Sequence, residues 1–434
     1  MDIHVVQQGD TIDSIAKAYG VTASQLIIEN GITNINNLVI GQTIVIAYPN
    51  KTYIVQAGDT LNSIADNNGI SLMQLLRNNP VLYEREFIYP GETLAISYET
   101  IQECTTNGFA YPFVKEEVLK RTLPYLTFLS VFNYRVTEKG SIMTYGDDTN
   151  IIQLSKTYGT IPILMISSLS TLGEANPTVL YEILLNNEYQ NYLITNVINI
   201  MEEKGFQGVN LLISLLNESN QQIYTDFINN IQNQISSKGF LLFITINPQI
   251  KVTEDETTFL RLDYEPIRQL CYRLTFLQYY WGVNTDPPAP VTSITALRSF
   301  MDYIESITST TNIAIGIPVI AYDWDLPFIP NKSIANAMTI NSAIILASDT
   351  RSEFKFDPVS YTPFFYYTSS YVGELDQHVV WSLDARTFSA LNDLITEYDL
   401  SGSGIWNIMV FYQQMWTVIN SRLEIVKLRP DQLS

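Results

Sequence analysis

From about residue 126 onward, short apolar runs alternate with longer amphipathic stretches. Near-continuous apolar runs are typical of strands buried on both faces, and helical stretches between them favour a parallel sheet. Repeated over this length, the alternation predicts an α/β domain whose sheet closes into a barrel. The predicted strands are 126–132, 161–166, 209–214, 241–246, 274–279, 313–319 and 404–408, and the clearest predicted helices are 181–204 and 221–238.

A different pattern repeats within the first hundred residues. The run Val5–Ala16 returns as Ile54–Ala65, and each copy ends in a glycine-containing turn and a short strand. A repeat of this length indicates two small modules. An aspartate and a threonine after the first glycine of each copy suit a helix cap, so each copy predicts the order strand, helix, helix, strand. The expected boundaries are 1–48 and 51–97 for the modules and 101–430 for the barrel domain.

Composition narrows the classes of function. The net charge is −20 over 434 residues, which disfavours nucleic acid and anionic membranes as partners because their phosphates would be repelled. With two histidines, we expect no histidine-based metal site and no cofactor. Two cysteines, Cys104 and Cys271, are too few for a disulfide framework, and a single disulfide between them is left as an alternative. The apolar runs are too short to span a membrane, and the first residues carry no signal-peptide pattern.

The repeated Gly-Asp-Thr, Ser-Ile-Ala and central Asn elements resemble LysM modules. This family binds glycans that contain N-acetylglucosamine, such as peptidoglycan and chitin. The resemblance implies a glycan held between the Gly-Asp-Thr loop and the loop after the second helix. The glycan-binding residues that it implies are Gly9, Asp10, Thr11, Ile28 and Asn30 in the first module, and Gly58, Asp59, Thr60, Arg77 and Asn79 in the second. An open alternative is that these residues only maintain turns and caps.

The remainder of the chain resembles glycoside hydrolase family 18. Its motifs are carried by residues 132–140, 321–328 and 378–386 and by Trp406 and Trp416. Within that family the chain looks most similar to the branch that pairs two LysM modules with the barrel, which includes spore-associated peptidoglycan N-acetylglucosaminidases. The resemblance implies a (β/α)8 TIM barrel with a small α+β insertion at about 354–380, preceded by two βααβ LysM modules.

The acids of that family are missing from their expected strand. The family pattern reads Asp-Gly-x-Asn/Asp-x-Asp-x-Glu, and here Gln207, Leu212 and Ser214 replace the three acids. In the family the glutamate protonates the glycosidic oxygen and the preceding aspartate orients the substrate acetamido group. Side chains two residues apart on a strand face the same way, so Asn210, Leu212 and Ser214 are expected to point into the barrel mouth.

A neighbouring strand departs from the family in the same way. Tyr280 stands where the family has an aspartate that helps to hold the acetamido group, whereas Tyr279 is kept. Trp406 matches the tryptophan that forms the floor of the sugar site, with core packing as its alternative role. The expected barrel-mouth residues are therefore Asn210, Tyr279 and Trp406.

These replacements lead to the expectation of an inactive family 18 homologue. In this hypothesis the LysM modules bind peptidoglycan or a similar glycan and the barrel is a scaffold, with self-association or other spore-coat proteins as further partners. The expected location is the spore coat or exosporium. The alternative is a spore cortex N-acetylglucosaminidase with an unorthodox acid such as Glu218, since Asp323 and Glu265 each lack a matched carboxylate. In a third interpretation the barrel groove binds a ligand without the modules.

Overall fold

The structure is a computed structural model that describes residues 1–85, 87–169, 173–252, 256–278, 283–371 and 374–428. Two similar modules come first. Their elements are β1 (Asp2–Val5), α1 (Ile12–Tyr19), α2 (Ala23–Asn30), β2 (Thr43–Ile46), β3 (Lys51–Ile54), α3 (Leu61–Asn68), α4 (Leu72–Asn78) and β4 (Thr93–Ser97), with a short 3₁₀ helix at Pro80–Glu84.

In each module the two strands pair antiparallel and the two helices pack against them. Thr11 and Thr60 cap the first helices: each side chain accepts a hydrogen bond from the serine three residues on, whose hydroxyl in turn bonds the cap residue's backbone N–H. This reciprocal cap satisfies two backbone donors that the first turn leaves free. The predicted βααβ order is confirmed for both modules.

The elements of the first half of the barrel domain are β5 (Gln102–Ala110), α5 (Glu116–Thr122), β6 (Phe128–Val136), β7 (Ile142–Thr144), α6 (Thr149–Thr157), β8 (Ile161–Ser167), α7 (Pro177–Leu184), α8 (Asn187–Lys204), β9 (Gly208–Ile213), α9 (Gln221–Ser236) and β10 (Leu241–Ile246). Those of the second half are β11 (Lys251–Val252), β12 (Thr257–Thr258), α10 (Glu265–Leu270), β13 (Arg273–Phe276), β14 (Val283–Asn284), α11 (Ile294–Ile307), β15 (Ile313–Pro318), β16 (Ala321–Leu326), β17 (Ala335–Met338), α12 (Ile340–Asp349), β18 (Lys355–Asp357), β19 (Thr362–Tyr371), β20 (Glu374–Trp381), α13 (Ala385–Glu397), β21 (Gly402–Trp406), α14 (Gln413–Arg422) and β22 (Leu423–Ile425).

Eight parallel strands close into a barrel in the order β5, β6, β8, β9, β10, β13, β15 and β21, and β21 pairs with β5 again. Strands β7 and β22 extend the sheet beyond this ring. Helices between the strands cover the outside with apolar faces, as in α9, whose buried positions recur at helical spacing. The predicted TIM barrel is confirmed.

The first barrel strand, β5, was not predicted. The strand begins with Gln102, Glu103 and two threonines instead of an apolar run, so the hydrophobic pattern does not indicate it. The strand is fixed by neighbours on both sides, with β21 pairing along 105–109 and β6 along 107–110. Long-range pairing thus decides an element that local hydrophobicity does not mark.

The insertion is larger than predicted. An antiparallel six-stranded sheet has the order β14, β17, β16, β20, β19, β18, so that most of it spans residues 321–381. The predicted range of 354–380 covers only its last three strands. Helix α12 covers one face of this sheet, where Ala343 and Ala347 pack against Ala321 and Phe365.

The first module docks on helix α14 through polar contacts that are buried. The Gln414 amide donates to Asn30 Oδ1 at 3.0 Å and to the Thr43 carbonyl at 2.8 Å. The Thr417 hydroxyl donates to the Glu29 carbonyl at 2.6 Å. Buried polar groups of this kind hold two surfaces in one register, because any displacement would leave them without partners.

Candidate functional site

Strand β9 and the residues beside it carry the positions predicted from sequence to correspond to the family's acids. Asn210, Leu212 and Ser214 are buried within the barrel, at the end where TIM-barrel enzymes place their sites. Gln207 precedes the strand and is half-buried at its opposite end. Gly208 is required by close packing, since a Cβ there would lie 2.4 Å from the Leu241 carbonyl oxygen.

Asn210 belongs to a buried polar layer. Its amide donates to Ser130 Oγ at 3.0 Å, and its carbonyl oxygen accepts from Thr245 Oγ1 at 2.9 Å. Ser130 in turn donates to Asn107 Oδ1 at 3.1 Å. These bonds join strands β5, β6, β9 and β10, so the layer holds the strands in register below the mouth. Both ends of the Asn210 amide are thus occupied within the protein.

Above that layer lies an apolar cluster around Leu212, which is 5% exposed. Trp406 packs in it with ring-centroid distances of 5.7 Å to Phe109 and 6.0 Å to Phe132. Where the family pattern places a carboxylate that orients an acetamido group, this chain therefore presents hydrocarbon. The cluster consists of Phe109, Phe132, Met165, Leu169, Leu212, Leu277 and Trp406.

Ser214 is the residue predicted from sequence to stand at the position of the family's general acid. Its hydroxyl lies 3.3 Å from the hydroxyl of Ser168, and its backbone carbonyl accepts a hydrogen bond from Tyr224. A serine hydroxyl can donate a hydrogen bond but does not release a proton near neutral pH. Ser214 is thus able to position a polar group without acting as the proton donor.

Aromatic side chains form a rim around the mouth that the sequence analysis missed. Phe113 is 68% exposed and stacks on Tyr111 at a centroid distance of 5.1 Å. Tyr111 and Tyr145 both contact Phe132, at 5.0 Å and 6.1 Å. Burial raises the pKa of both tyrosine hydroxyls, which keeps them protonated as hydrogen-bond donors. The available signal was two aromatic residues, Tyr111 and Phe113, directly after β5, but that strand itself was not predicted.

Of the three carboxylates considered from sequence, Glu265 is a poor proton donor because it is held in the charged form. Glu265 accepts from Arg268 Nε at 2.7 Å and from Thr308, and these hydrogen bonds lower its pKa to about 2. Such a group is ionised near neutral pH. Glu218 is exposed in the loop between β9 and α9, four residues after Ser214.

Asp323 is half-buried on the inserted sheet. Burial raises its pKa, and it accepts a hydrogen bond from the Tyr367 hydroxyl at 2.7 Å. Tyr367 packs with the cluster under α12, whereas Tyr322 and Trp324, on the opposite face of β16, join the main barrel core. Asp323 therefore faces away from the barrel core. Tyr279 and Tyr280, two further predicted positions, lie outside the described residues.

In both modules the Gly-Asp-Thr loop is at the surface. The aspartates hold the turn: Asp10 Oδ2 and Asp59 Oδ2 each accept a backbone N–H three residues earlier at 2.7 Å. The hydrogen bond from the Gln7 backbone, reinforced by His4, lowers the pKa of Asp10. The threonines cap helices, and both glycines adopt positive φ angles near 90°. The loop residues are Gly9, Asp10 and Thr11, and Gly58, Asp59 and Thr60.

Asn30 and Asn79, after the second helix of each module, are buried and bonded internally. Asn79 donates to the Leu75 and Ala95 carbonyls at 2.8 Å and accepts from the Ala95 N–H at 2.7 Å. Asn30 makes the same three bonds in the first module. These amides tie helix to strand, and their polar atoms are occupied within the protein.

Arg77 lies between the second module and the barrel and is 3% exposed. Its guanidinium donates to Glu424 Oε1 at 2.6 Å and to Asn420 Oδ1 at 2.9 Å. A further bond, from Asn420 to Asn78, lies beside this pair at 2.8 Å. The structure thus places Arg77 in the contact between the second module and the barrel. Ile28 is half-buried and lines a cleft between the two modules and the barrel.

Other candidate sites were searched for across the described residues. In that part of the chain no group of three or more histidine, cysteine, aspartate or glutamate side chains could hold a metal ion. No helix found there is long and apolar enough to cross a membrane. Cys104 and Cys271 are both free and buried, and burial raises the pKa of each thiol to about 12.

Comparison with known proteins identifies both parts of the chain. The LysM domain matches residues 4–47 and 53–97, and Glycosyl hydrolases family 18 matches residues 127–409. Cortical fragment-lytic enzyme of Bacillus subtilis (strain 168) is 28% identical over 434 residues, with 98% of this chain and 99% of the relative covered.

Solved structures give the same result. The spore cortex-lytic enzyme SleL of Bacillus megaterium QM B1551 superposes with a TM-score of 0.79 at 26% identity, covering 98% of this chain and 99% of that chain. The spore cortex-lytic enzyme SleL of Bacillus cereus gives a TM-score of 0.78 at 25% identity with the same coverage.

These relatives correct the functional prediction made from sequence. We expected an inactive homologue and a non-catalytic structural protein, but the proteins that match the chain from end to end are named as lytic enzymes. That expectation rested on Gln207, Leu212 and Ser214, which the sequence resemblance sets at the positions of the family's acids. By its matched domains, the chain belongs to glycosyl hydrolases family 18 and carries two LysM domains ahead of its barrel.

Proposed function

We propose that this protein is a glycosidase that cleaves spore cortex peptidoglycan. The observation that carries the proposal is the alignment of both LysM modules and the barrel with a cortical fragment-lytic enzyme over 98% of this chain. The aromatic rim of the mouth supports it, because exposed rings such as Phe113 present flat apolar faces on which sugar rings pack.

Glu218 is the proposed proton donor. It is exposed in the loop that leaves the carboxyl end of β9, so a substrate in the mouth can approach it. Glu265 is excluded by its low pKa and Asp323 by its position on the inserted sheet. An acid on a loop is less well oriented than one on a strand, so we expect slow turnover.

The test is incubation of the full-length protein with purified cortex peptidoglycan and with soluble cortical fragments, followed by mass spectrometry of the products. New fragments ending in N-acetylglucosamine are expected from the wild type. Glu218→Gln should lower the initial rate by about 10²-fold or more. The matched control is Glu305→Gln, an exposed glutamate on helix α11, which should leave the rate unchanged.

Two outcomes would overturn parts of this proposal. Absence of products at high enzyme concentration and long incubation would overturn the glycosidase function itself. Hydrolysis that Glu218→Gln leaves intact would overturn only the choice of acid.

The proposed binding partner is peptidoglycan, held in part by the exposed Gly-Asp-Thr loops of the modules, and the proposed location is the spore. Coat and exosporium are the layers proposed from sequence. Fractionation of spores with an antibody against the chain distinguishes these layers. Recovery only from the vegetative cell would contradict a spore location.

A further inference from the structure

The inserted sheet has an open edge along strand β19. This strand pairs with β20 from Phe364 to Tyr371. On its other side it pairs with β18, but only from Thr362 to Phe364. In the described part of the chain, no strand therefore lies against the outer side of residues 365–371.

The backbone groups on this edge point away from the sheet at alternate residues. The Ser382 N–H donates to the Pro363 carbonyl at 3.0 Å, so Pro363 turns its carbonyl toward β20. Along a strand of an antiparallel pair this direction alternates, so Tyr366 and Thr368 direct their N–H and C=O groups outward. Both residues are exposed. A row of unpaired donors and acceptors of this kind is a template for another strand.

The edge lacks the features by which proteins usually protect such a strand. Residues 364–371 read Phe-Phe-Tyr-Tyr-Thr-Ser-Ser-Tyr, without a charged residue or a proline. Their pairing with β20 runs in continuous register, so no bulge twists the edge away. The aromatic residues favour strands, and uncharged segments of high strand propensity pair readily with copies of themselves.

Charge favours a second copy of this chain as the partner. The net charge is −20, so two copies repel each other over much of their surfaces and can meet most easily at an uncharged edge. A strongly acidic or basic peptide finds no opposite charge on residues 364–371. An identical strand is uncharged along the same length and has the same strand propensity.

Symmetry fixes the register of such a pair. Two identical edges in antiparallel orientation are related by a two-fold axis, which is the commonest symmetry of homodimers. The outward-facing residues have to lie opposite each other, and this centres the pair on Thr368. Thr368 then faces Thr368 of the partner subunit, and Tyr366 faces Ser370 of the partner subunit.

We propose that two copies of this chain pair through the open edge of β19, so that their inserted sheets join into one continuous sheet. Only about five residues of each strand take part, so the contact is smaller than the roughly 1,000 Å² of a stable interface. The dimer should therefore form and dissociate with protein concentration. This association goes beyond the proposed glycosidase function and does not depend on it.

The first test adds a surface thiol at the centre of the contact. Cys104 and Cys271 are both buried, so Thr368→Cys supplies an exposed cysteine. Opposed residues of an antiparallel pair have Cα atoms about 5.5 Å apart, which a disulfide can span. Oxidation of the full-length variant should give a covalent dimer on a non-reducing gel. Thr195→Cys, at an exposed position on helix α8, is the matched control and should remain monomeric.

The second test measures association without a cross-link. Sedimentation velocity of the wild type should show a dimer fraction that grows with concentration. Thr368→Pro removes an outward N–H from both copies and should lower the association constant by about tenfold or more. Thr368→Lys should do the same, because like charges then lie directly opposite each other. Thr195→Lys is the control, and thermal unfolding checks that each variant folds.

Three results would overturn the inference. The first is a wild type that stays monomeric up to about 1 mM. The second is equal association of the wild type, Thr368→Pro and Thr368→Lys, because the contact would then lie elsewhere. The third is a synthetic peptide of residues 364–371 that binds a wild type which stays monomeric, because the edge would then accept a strand from another protein in place of a second copy.

Discussion

At the scale of single residues, two side chains set the chemistry of the mouth. Leu212 lies on β9 and Ser214 directly follows the strand, and both are buried, as the two-residue spacing predicts. Leu212 joins Trp406 in an apolar cluster, and Ser214 contacts Ser168. At these two positions the mouth thus presents a hydrocarbon and a hydroxyl.

Restoring both acids should therefore accelerate hydrolysis. The double variant Leu212→Asp, Ser214→Glu is expected to raise kcat/KM on cortex fragments by about 10²–10⁴-fold, since it returns a positioned proton donor to the mouth. Burial should raise the pKa of the new glutamate, so activity should fall as the pH rises through it. In this background Glu218→Gln should no longer change the rate.

The control for that experiment is Leu212→Asn, Ser214→Gln, which has similar shape and no proton donor. A gain in the control as large as in the acidic variant would show that polarity, and not acid catalysis, limits the rate. No gain in either would show that the apolar cluster prevents the sugar from reaching β9.

At the scale of elements, the contact between the second module and the barrel includes an ion pair whose cation, Arg77, is buried. Arg77→Ala should lower the free energy of unfolding by about 3 kcal/mol or more, because it leaves Glu424 and Asn420 without their donor. Arg85 is the matched control. It pairs with Glu92 in the same module at 2.5 Å, but its side chain is 20% exposed against 2% for Arg77, so Arg85→Ala should cost about 0–1 kcal/mol. Urea unfolding of both variants provides the comparison, and equal costs would contradict it.

At the contact between the first module and the barrel, Glu29 of helix α2 makes the stability of the fold depend on pH. Burial raises the pKa of Glu29 from 4.5 to about 8, while a hydrogen bond from Gln25 opposes this only in part. The folded state therefore holds a proton that the unfolded state releases. The resulting stability is fully present below pH 4.5 and is lost as the pH rises toward and through 8.

Glu29→Gln should remove this loss. The variant is expected to be more stable than the wild type at pH 9 by on the order of a few kcal/mol and similar to it at pH 4. Thermal unfolding across this range is the measurement, with Glu305→Gln as the exposed control. A wild-type stability that does not decline between these pH values would contradict the prediction.

At the scale of the whole molecule, the modules and the barrel share buried surface along α14. Residues 413–421 of this helix are all buried, which follows from its position between the barrel and both modules. These contacts include the hydrogen bond between the Gln414 and Asn30 side chains and the ion pair between Arg77 and Glu424. The two modules and the barrel are therefore expected to stabilise each other.

This predicts one cooperative unfolding transition for the full-length chain. Deleting residues 1–97 should lower the Tm of the remaining barrel, because α14 loses its cover. Differential scanning calorimetry of the two proteins makes the test. Separate transitions in the full chain, or an unchanged Tm after deletion, would show that the modules are independent of the barrel.

Much of the architecture could be predicted because it is marked locally. The repeated Gly-Asp-Thr loops indicate both modules, and seven apolar runs indicate barrel strands. The eighth strand, β5, begins with polar residues, and only its pairing with β6 and β21 defines it. The inserted sheet was underestimated for the same reason, since β16 reads as barrel sequence until its antiparallel partner β20 is seen.

The sequence by itself determined the family and the order of the modules, because both are marked by local motifs. It also determined that Leu212 and Ser214 share a face, because periodicity on a strand fixes which side chains point the same way. Only the tertiary structure decided what surrounds them. In the folded chain, Arg77 and Asn30 lie in buried contacts, and Asp323 faces away from the barrel core. A cleft beside Gln413 lies between the modules and the barrel. These features depend on contacts between residues hundreds of positions apart, such as Asn30 with Gln414, and local pattern carries no information about them.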